Sequence, residues 1–151
     1  MTTELSDVHP SVVGRLSGFW RADHIVSDAK GNTVSAGTHY LQLQHKSSRI
    51  ADSELIAESI PEFTKAFLIA HFWIYGNIAK GAWWDASNGS VIPGNILPGG
   101  TLLIISADEK KMGGKWVALE DEVNTLTGSW EFFYLGNDVT AIEESRRQAV
   151  G

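Results

Sequence analysis

From Leu16 to Ser27 the residues alternate with a period of two: Gly18, Trp20, Ala22, His24 and Val26 fall on one face, and Phe19, Arg21, Asp23 and Ile25 on the other. That alternation is the mark of a half-buried strand. The run Asp28-Ala29-Lys30-Gly31-Asn32 follows and predicts a hairpin turn. Thr33 to His45 then divides into Gly37, His39, Leu41 and Leu43 against Thr38, Tyr40, Gln42 and Gln44. Leucines in and glutamines out carry His39 inward. A third strand is predicted over Arg49 to Glu58, with either Ile50, Asp52, Glu54, Ile56 and Glu58 or the smaller set Ala51, Ser53, Leu55 and Ala57 facing in. The less charged face is the default inner one, because a register fixed by a buried face puts charge outside.

Ser59-Ile60-Pro61-Glu62 has the form of a capping box with proline in the first turn. It predicts a short helix from Pro61 to Leu68 that presents Phe63 and Phe67 and sits as a lid, ahead of a strand at His71-Phe72-Trp73-Ile74-Tyr75. A continuous strand through 66 to 75 is the competing assignment. Further strands are predicted over Ile78 to Asp85, Thr101 to Ser106, Lys115 to Leu119, Leu126 to Leu135 and Val139 to Arg146. Ser87-Asn88-Gly89-Ser90 reads as a hairpin, and the Pro- and Gly-punctuated Val91 to Gly100 as a loop at the barrel mouth. Residues 1 to 14 form a polar leader in which Pro10-Ser11-Val12-Val13 can make a turn of helix, either a plug or a frayed end. About eight to nine strands joined by short turns predict a single all-β domain over 1–151: an antiparallel up-and-down β-barrel with one short lid helix.

Glycine and tryptophan recur two apart at Gly18/Trp20, Gly81/Trp83, Gly114/Trp116 and Gly128/Trp130. In a strand each such pair lies on one face, and the absent glycine side chain leaves room for a neighbouring strand or ring. Composition agrees: six Trp and six Phe in 151 residues call for wide, flat apolar surfaces. No cysteine is present, which removes disulfides, thiolate nucleophiles and Cys-ligated metal and fits a cytoplasmic protein. The N-terminal residues carry no secretory pattern, and the longest apolar stretch, Ala66 to Tyr75, is too short to span a bilayer, so no membrane is expected. A net charge of −6 with scattered Lys and Arg argues against nucleic acid. No cofactor is expected, and Pro98-Gly99-Gly100 lacks the lysine and helix of a phosphate loop.

Two features resemble the lipocalin-like, or calycin, superfamily. One is Gly18-Phe19-Trp20 at the start of the first long strand, the other an arginine late in the chain, Arg146 or Arg147. The resemblance implies a barrel whose arginine packs across Trp20 and closes one end. The chain departs from secreted lipocalins in lacking a signal peptide, cysteines and the usual loop motif, so extracellular transport is not implied.

Candidate chemistry centres on histidine. His24 and His39 are both inward on adjacent strands, where same-face neighbours lie roughly 5 Å apart. They could serve as general base and polariser, or be core histidines satisfied locally. His71, among Phe67, Phe72, Trp73 and Tyr75, is either a core residue, a lumen contact or the third member of a His cluster with His24 and His39, although the spacing fits no metal motif. His9 and His45 are expected at surface ends. Glu131, hemmed by Trp130, Phe132 and Phe133, is a general acid or base if it points inward, and solvated if Trp130, Phe132 and Tyr134 are the inner set. Trp20, Trp83, Trp116 and Trp130 cannot all fill one floor, so some should line a cavity with Leu41, Phe67 and His71, and Tyr40 or Tyr134 could orient a ligand by its hydroxyl.

The expected partner is a small hydrophobic molecule. Three readings follow: a cofactor-free isomerase, cyclase or lyase using His24, His39 and Glu131; a carrier or sensor of an apolar ligand; or a solid barrel whose outer aromatics make a homodimer.

Overall fold

The computed structural model describes residues 14–63, 67–86, 97–119 and 125–150. The predicted alternation closes on itself. Eight antiparallel strands, β1 (Gly18–Ser27), β2 (Thr33–Ser47), β3 (Ser53–Ser59), β4 (Phe67–Tyr75), β5 (Ile78–Ala86), β6 (Leu97–Ile105), β7 (Lys111–Leu119) and β8 (Thr125–Gly136), run in sequence order around a closed barrel, with β8 paired to β1. Closure removes the exposed strand edge of an open sheet. One helix, α1 (Thr140–Val150), follows and packs against β1 and β8.

The inner faces are those the period-two pattern assigns. Trp20, Ala22, Leu41, Leu43, Leu55, Ala57, Phe72, Ala79, Leu103, Met112 and Phe132 are buried in the core. On β3 the small set Ser53, Leu55, Ala57 and Ser59 faces in, leaving Glu54 and Glu58 outside. The first hairpin forms at Asp28, whose Oδ1 accepts from the Lys30 and Asn32 N–H groups, while Gly31 takes the left-handed φ of 86° that the turn requires.

Three expectations are corrected. The helix over Pro61 to Leu68 does not form: one turn closes at Phe63 N to Ile60 O, and β4 already begins at Phe67. The hydroxyl that would have capped that helix, Ser59 Oγ, instead accepts from Leu68 N at 2.8 Å. Extended backbone wins because it places Leu68, Ala70, Phe72 and Ile74 inside together. Residues 64 to 66 of that segment lie outside the described residues, as do the Ser87–Ser90 turn, residues 91 to 96 and the leader through residue 13; the rest of the expected Val91–Gly100 loop, Leu97 to Gly100, is not loop but the start of β6, paired with β5.

The second correction is the ninth strand, Val139 to Arg146, which is helix α1. Asp138 Oδ1 accepts from Thr140 N, Glu143 lies in the first turn and Arg147 in the last, and Ile142 and Ser145 share the buried face. Cap and charges suit a helix dipole, and the i, i+3 spacing puts Ile142 and the small Ser145 on the one buried face.

The third is the closing arginine. The Arg146 guanidinium lies 5.4 Å from the centre of the Phe63 ring, on the outside, and Arg147 is exposed in the last turn of α1. Trp20 is closed by other groups: its Nε1 donates to Leu16 O at 2.9 Å, and Tyr134 packs edge-on at 5.5 Å. Lys110 Nζ sits 4.1 Å over the Tyr134 ring, so a cation still caps this aromatic stack, one ring removed from the indole.

Candidate functional site

The barrel has two unlike halves, which we call lower, where Leu16 and the start of β1 lie, and upper, where the β1–β2 hairpin lies. In the lower half Trp20, Leu41, Phe72, Leu103, Met112 and Phe132 have 0% exposure, and Leu16 covers them from below. In the upper half the rings are less enclosed: Trp83 is 8% exposed, Trp116 7%, Trp130 4% and His39 5%. Val26 and Leu126 beside them are only partly buried. Solvent grazes both ends of the barrel, since His45 and Ile105 at the lower rim are each 7% exposed and line a pocket with Leu16 and Ile74, and the fully enclosed residues form the layer between.

Register explains how so many rings fit. Trp83 pairs across the ladder with Gly99, Trp116 with Gly128, Trp130 with Gly114 and His24 with Gly37. A Cβ at Gly99 would fall within the Trp83 indole, one at Gly128 would meet the Trp116 ring, and one at Gly37 would lie 2.6 Å from His24 Cε1. Gly99, Gly128 and Gly37 thus make room for the ring on the neighbouring strand, whereas a Cβ at Gly81 or Gly114 would meet backbone of the adjacent strand at His71 O or Leu102 O, so the glycines of the Gly-x-Trp units serve close strand approach as well as the rings. The result is a contiguous aromatic wall. Trp83 contacts Trp116 edge-on at 5.5 Å and Trp130 at 5.8 Å, and Trp130 continues to Phe132 at 4.9 Å.

The indole N–H groups are all turned to the protein. Trp83 Nε1 donates to Gly100 O, Trp116 Nε1 to Ser129 O and Trp130 Nε1 to Thr101 Oγ1, at 3.3, 3.2 and 2.9 Å. Thr101 Oγ1 in turn donates to Lys115 O at 2.7 Å. What the rings offer the lumen is π surface.

Beside this wall stand the two imidazoles. His24 and His39 are 5.2 Å apart between ring centres, tilted by 34°, and His24 is also the register partner of Trp130. They are diagonal neighbours on one face, Ala22 being opposite His39 and Gly37 opposite His24. Among the described residues no group of three or more His, Cys, Asp or Glu could hold a metal.

The chain matches no family model, no curated protein and no solved structure.

Of the residues singled out in the sequence, His24, His39, Trp83, Trp116 and Trp130 come together in the upper half. Trp20, Leu41 and Tyr134 are inner but belong to the lower half, Tyr134 only partly buried, and the Tyr134 hydroxyl donates to Asn137 Oδ1 at 2.8 Å, away from the indole wall. Phe67 opens β4; its side chain lies outside the described residues.

Three residues face outward because of strand parity. Tyr40 shares a face with Gln42, opposite Arg21, and is buried on the outer side of the sheet. Glu131 lies on the outer face of β8 and pairs with Lys111 at 2.8 Å, both half-exposed. His71 lies on the outer face of β4, bonded to Glu54 Oε2 at 2.8 Å and stacked at 4.3 Å on Trp73. None of the three reaches the lumen, and His71 is on the wrong side of the sheet to join His24 and His39.

His45, expected at the surface, is an inner residue of the lower half. Its Nδ1 accepts from Leu16 N at 3.3 Å, which leaves the proton on Nε2 to be donated to Ser53 Oγ at 2.7 Å. Ser17 Oγ accepts from His45 N. Burial holds the imidazole below its ordinary range. The alternation Leu41, Leu43, His45 carries this placement in the sequence.

Proposed function

We propose that the protein binds a flat, largely apolar small molecule in the upper half of the barrel, and that His24 and His39 act on it by proton transfer in a cofactor-free isomerisation, cyclisation or elimination. The observation that carries this reading is the placement of two imidazoles 5.2 Å apart beside the Trp83–Trp116–Trp130 wall, in the upper half of the barrel where these rings keep some exposure. A rigid aromatic wall selects one conformer of a flexible substrate, and a His at its edge exchanges a proton near neutral pH; both lower a barrier without a cofactor. Glu131 has no part in this mechanism, since it is on the outer face.

The closed eight-strand barrel and the buried Trp20 of Gly18-Phe19-Trp20 support a place in the calycin superfamily. Arg146 over Phe63 departs from that family's closure. Among the described residues no helix is long and apolar enough to cross a membrane; with no cysteine to protect, we place the protein in the cytoplasm.

A carrier or sensor is the second reading. It is favoured by one feature: the three indole N–H groups of the wall and the Thr101 hydroxyl are spent on protein partners, so the wall offers a ligand apolar contact and no proton-transfer group. The two readings separate when the compound that co-purifies with the protein is identified by mass spectrometry and incubated with fresh enzyme. Conversion that is lost in both His24→Gln and His39→Gln supports the enzyme. Recovery of the compound unchanged supports the carrier.

A further inference from the structure

We infer that Leu16 is a latch beneath the enclosed core layer and that protonation of His45 releases it, so that the lower end of the barrel opens in acid while the strands stay paired. The latch is a chain of hydrogen bonds that passes through one imidazole. Leu16 N donates to His45 Nδ1 at 3.3 Å, Leu16 O accepts from Trp20 Nε1 at 2.9 Å, and His45 Nε2 meets Ser53 Oγ at 2.7 Å. His45 N donates to Ser17 Oγ and Ser17 N to Gly14 O, which ties the same short segment to β2. Leu16 and Ser53 are 2% exposed and Trp20 0%, so water does not replace a partner lost here.

A backbone N–H only donates, so the bond from Leu16 exists only while Nδ1 keeps its lone pair. An imidazolium carries a proton on both ring nitrogens. Two donors would then face each other across 3.3 Å, and the contact that holds the latch becomes one that repels it. The balanced step is closed latch plus one proton from solvent, giving an open segment and the His45 imidazolium. Burial works the same way, since it disfavours charge on the ring while the latch is shut.

The charged groups around the ring are already engaged. From the segment below, Arg15 pairs with Glu109 of the β6–β7 turn at 3.2 Å. In that turn Asp108 accepts from Ser106 Oγ and Lys110 N. Ahead of β3, Asp52 Oδ2 accepts from Gly76 N, and Glu54 turns outward to His71. Lys46 is exposed on the outer face of β2, while β4 and β6 present Ile74 and Ile105. His45 shares with Leu16, Ile74, Ile105 and Glu109 a cavity of about 320 Å³, the space into which water follows when the segment lifts.

Hydrogen exchange of the Leu16 amide and the Trp20 indole N–H, followed by NMR on the full chain from about pH 8 to about pH 5 and corrected for the free-amide rate at each pH, tests the inference. Protection at both sites should fall by about tenfold per pH unit below 6.5, the ordinary value that the ring regains on release, while the amides of β5 and β6 keep theirs. His45→Asn sets a carbonyl acceptor where Nδ1 stood and does not titrate, so its Leu16 protection should be flat with pH. Protection in the unaltered protein that stays level while the His45 ring signal titrates overturns the inference. So does a loss in step with β5 and β6, which is whole-chain unfolding, or an unchanged pH dependence in His45→Asn. Should that variant not fold, the profile of the unaltered protein decides alone.

Discussion

Replacing Gly99 by alanine tests whether a missing side chain is what accommodates the aromatic wall. The added Cβ would lie closer than 3.0 Å to Cε2, Cζ2 and Nε1 of Trp83, where ordinary contact is 3.4–4 Å. The indole must retreat by about 1 Å, and it has nowhere free to go: Trp116 stands edge-on at 5.5 Å and Trp130 at 5.8 Å. Overpacking of this kind costs about 1–3 kcal/mol. Loss of the Trp83 N–H bond to Gly100 O adds about 1 kcal/mol. Against this stands a gain of about 0.5–1 kcal/mol from replacing a flexible strand glycine. The net expectation is a destabilisation of about 1–3.5 kcal/mol. Gly113→Ala is the matched control, because its Cβ would point outward with nothing nearer than 3.7 Å, and it should be neutral or slightly stabilising. Urea unfolding followed by far-UV circular dichroism gives both numbers, and near-UV dichroism reports the Trp83 ring. If Gly99→Ala unfolds at the same urea concentration as Gly113→Ala, the glycine-to-ring explanation is wrong.

Three further outcomes follow from the geometry. His45 is held neutral in the folded chain by burial, so its stabilising effect is complete above its unfolded value of 6.5 and is lost as pH falls below that; the urea midpoint should drop over this range, and His45→Gln should flatten the drop. Glu131→Gln removes a half-exposed pair with Lys111, so it should change stability by no more than about 1 kcal/mol and leave ligand binding untouched, as measured by the same unfolding curves and by tryptophan quenching with the co-purified compound. Arg146→Ala gives up a contact with Phe63 and should cost at most about 1 kcal/mol with no change in the Trp20 emission; a loss of several kcal/mol with red-shifted emission would mean that this arginine does close the barrel.

The parts of the fold that were legible are those where one face is buried. Leu41 and Leu43 against Gln42 and Gln44 fix β2, and with it the inward turn of His39. The same alternation brings His24 and His39 to their observed 5.2 Å separation. Where local chemistry and tertiary packing disagreed, local chemistry misled. Ser59-Ile60-Pro61-Glu62 carries a sound capping pattern, yet the hydroxyl is claimed by a strand that needs Leu68 and Phe72 inside. At the C-terminus the reverse held: Val139 to Arg146 was extended by analogy with the strands before it, although Asp138 and the Ile142/Ser145 spacing describe a helix. His71 shows a further limit, since an aromatic neighbourhood in sequence does not distinguish a core from an outer-face stack such as the one it makes with Trp73.

The central claim, that a flat apolar molecule sits between the indole wall and the paired imidazoles, is tested most directly by following the histidine ring signals in carbon–proton correlation spectra while such a compound is added. His24 and His39 should shift together with saturation, while His45 in the lower half and His71 on the outer face stay in place. Shifts confined to His71, or none at His24 and His39 at a concentration that quenches the tryptophans, would contradict it.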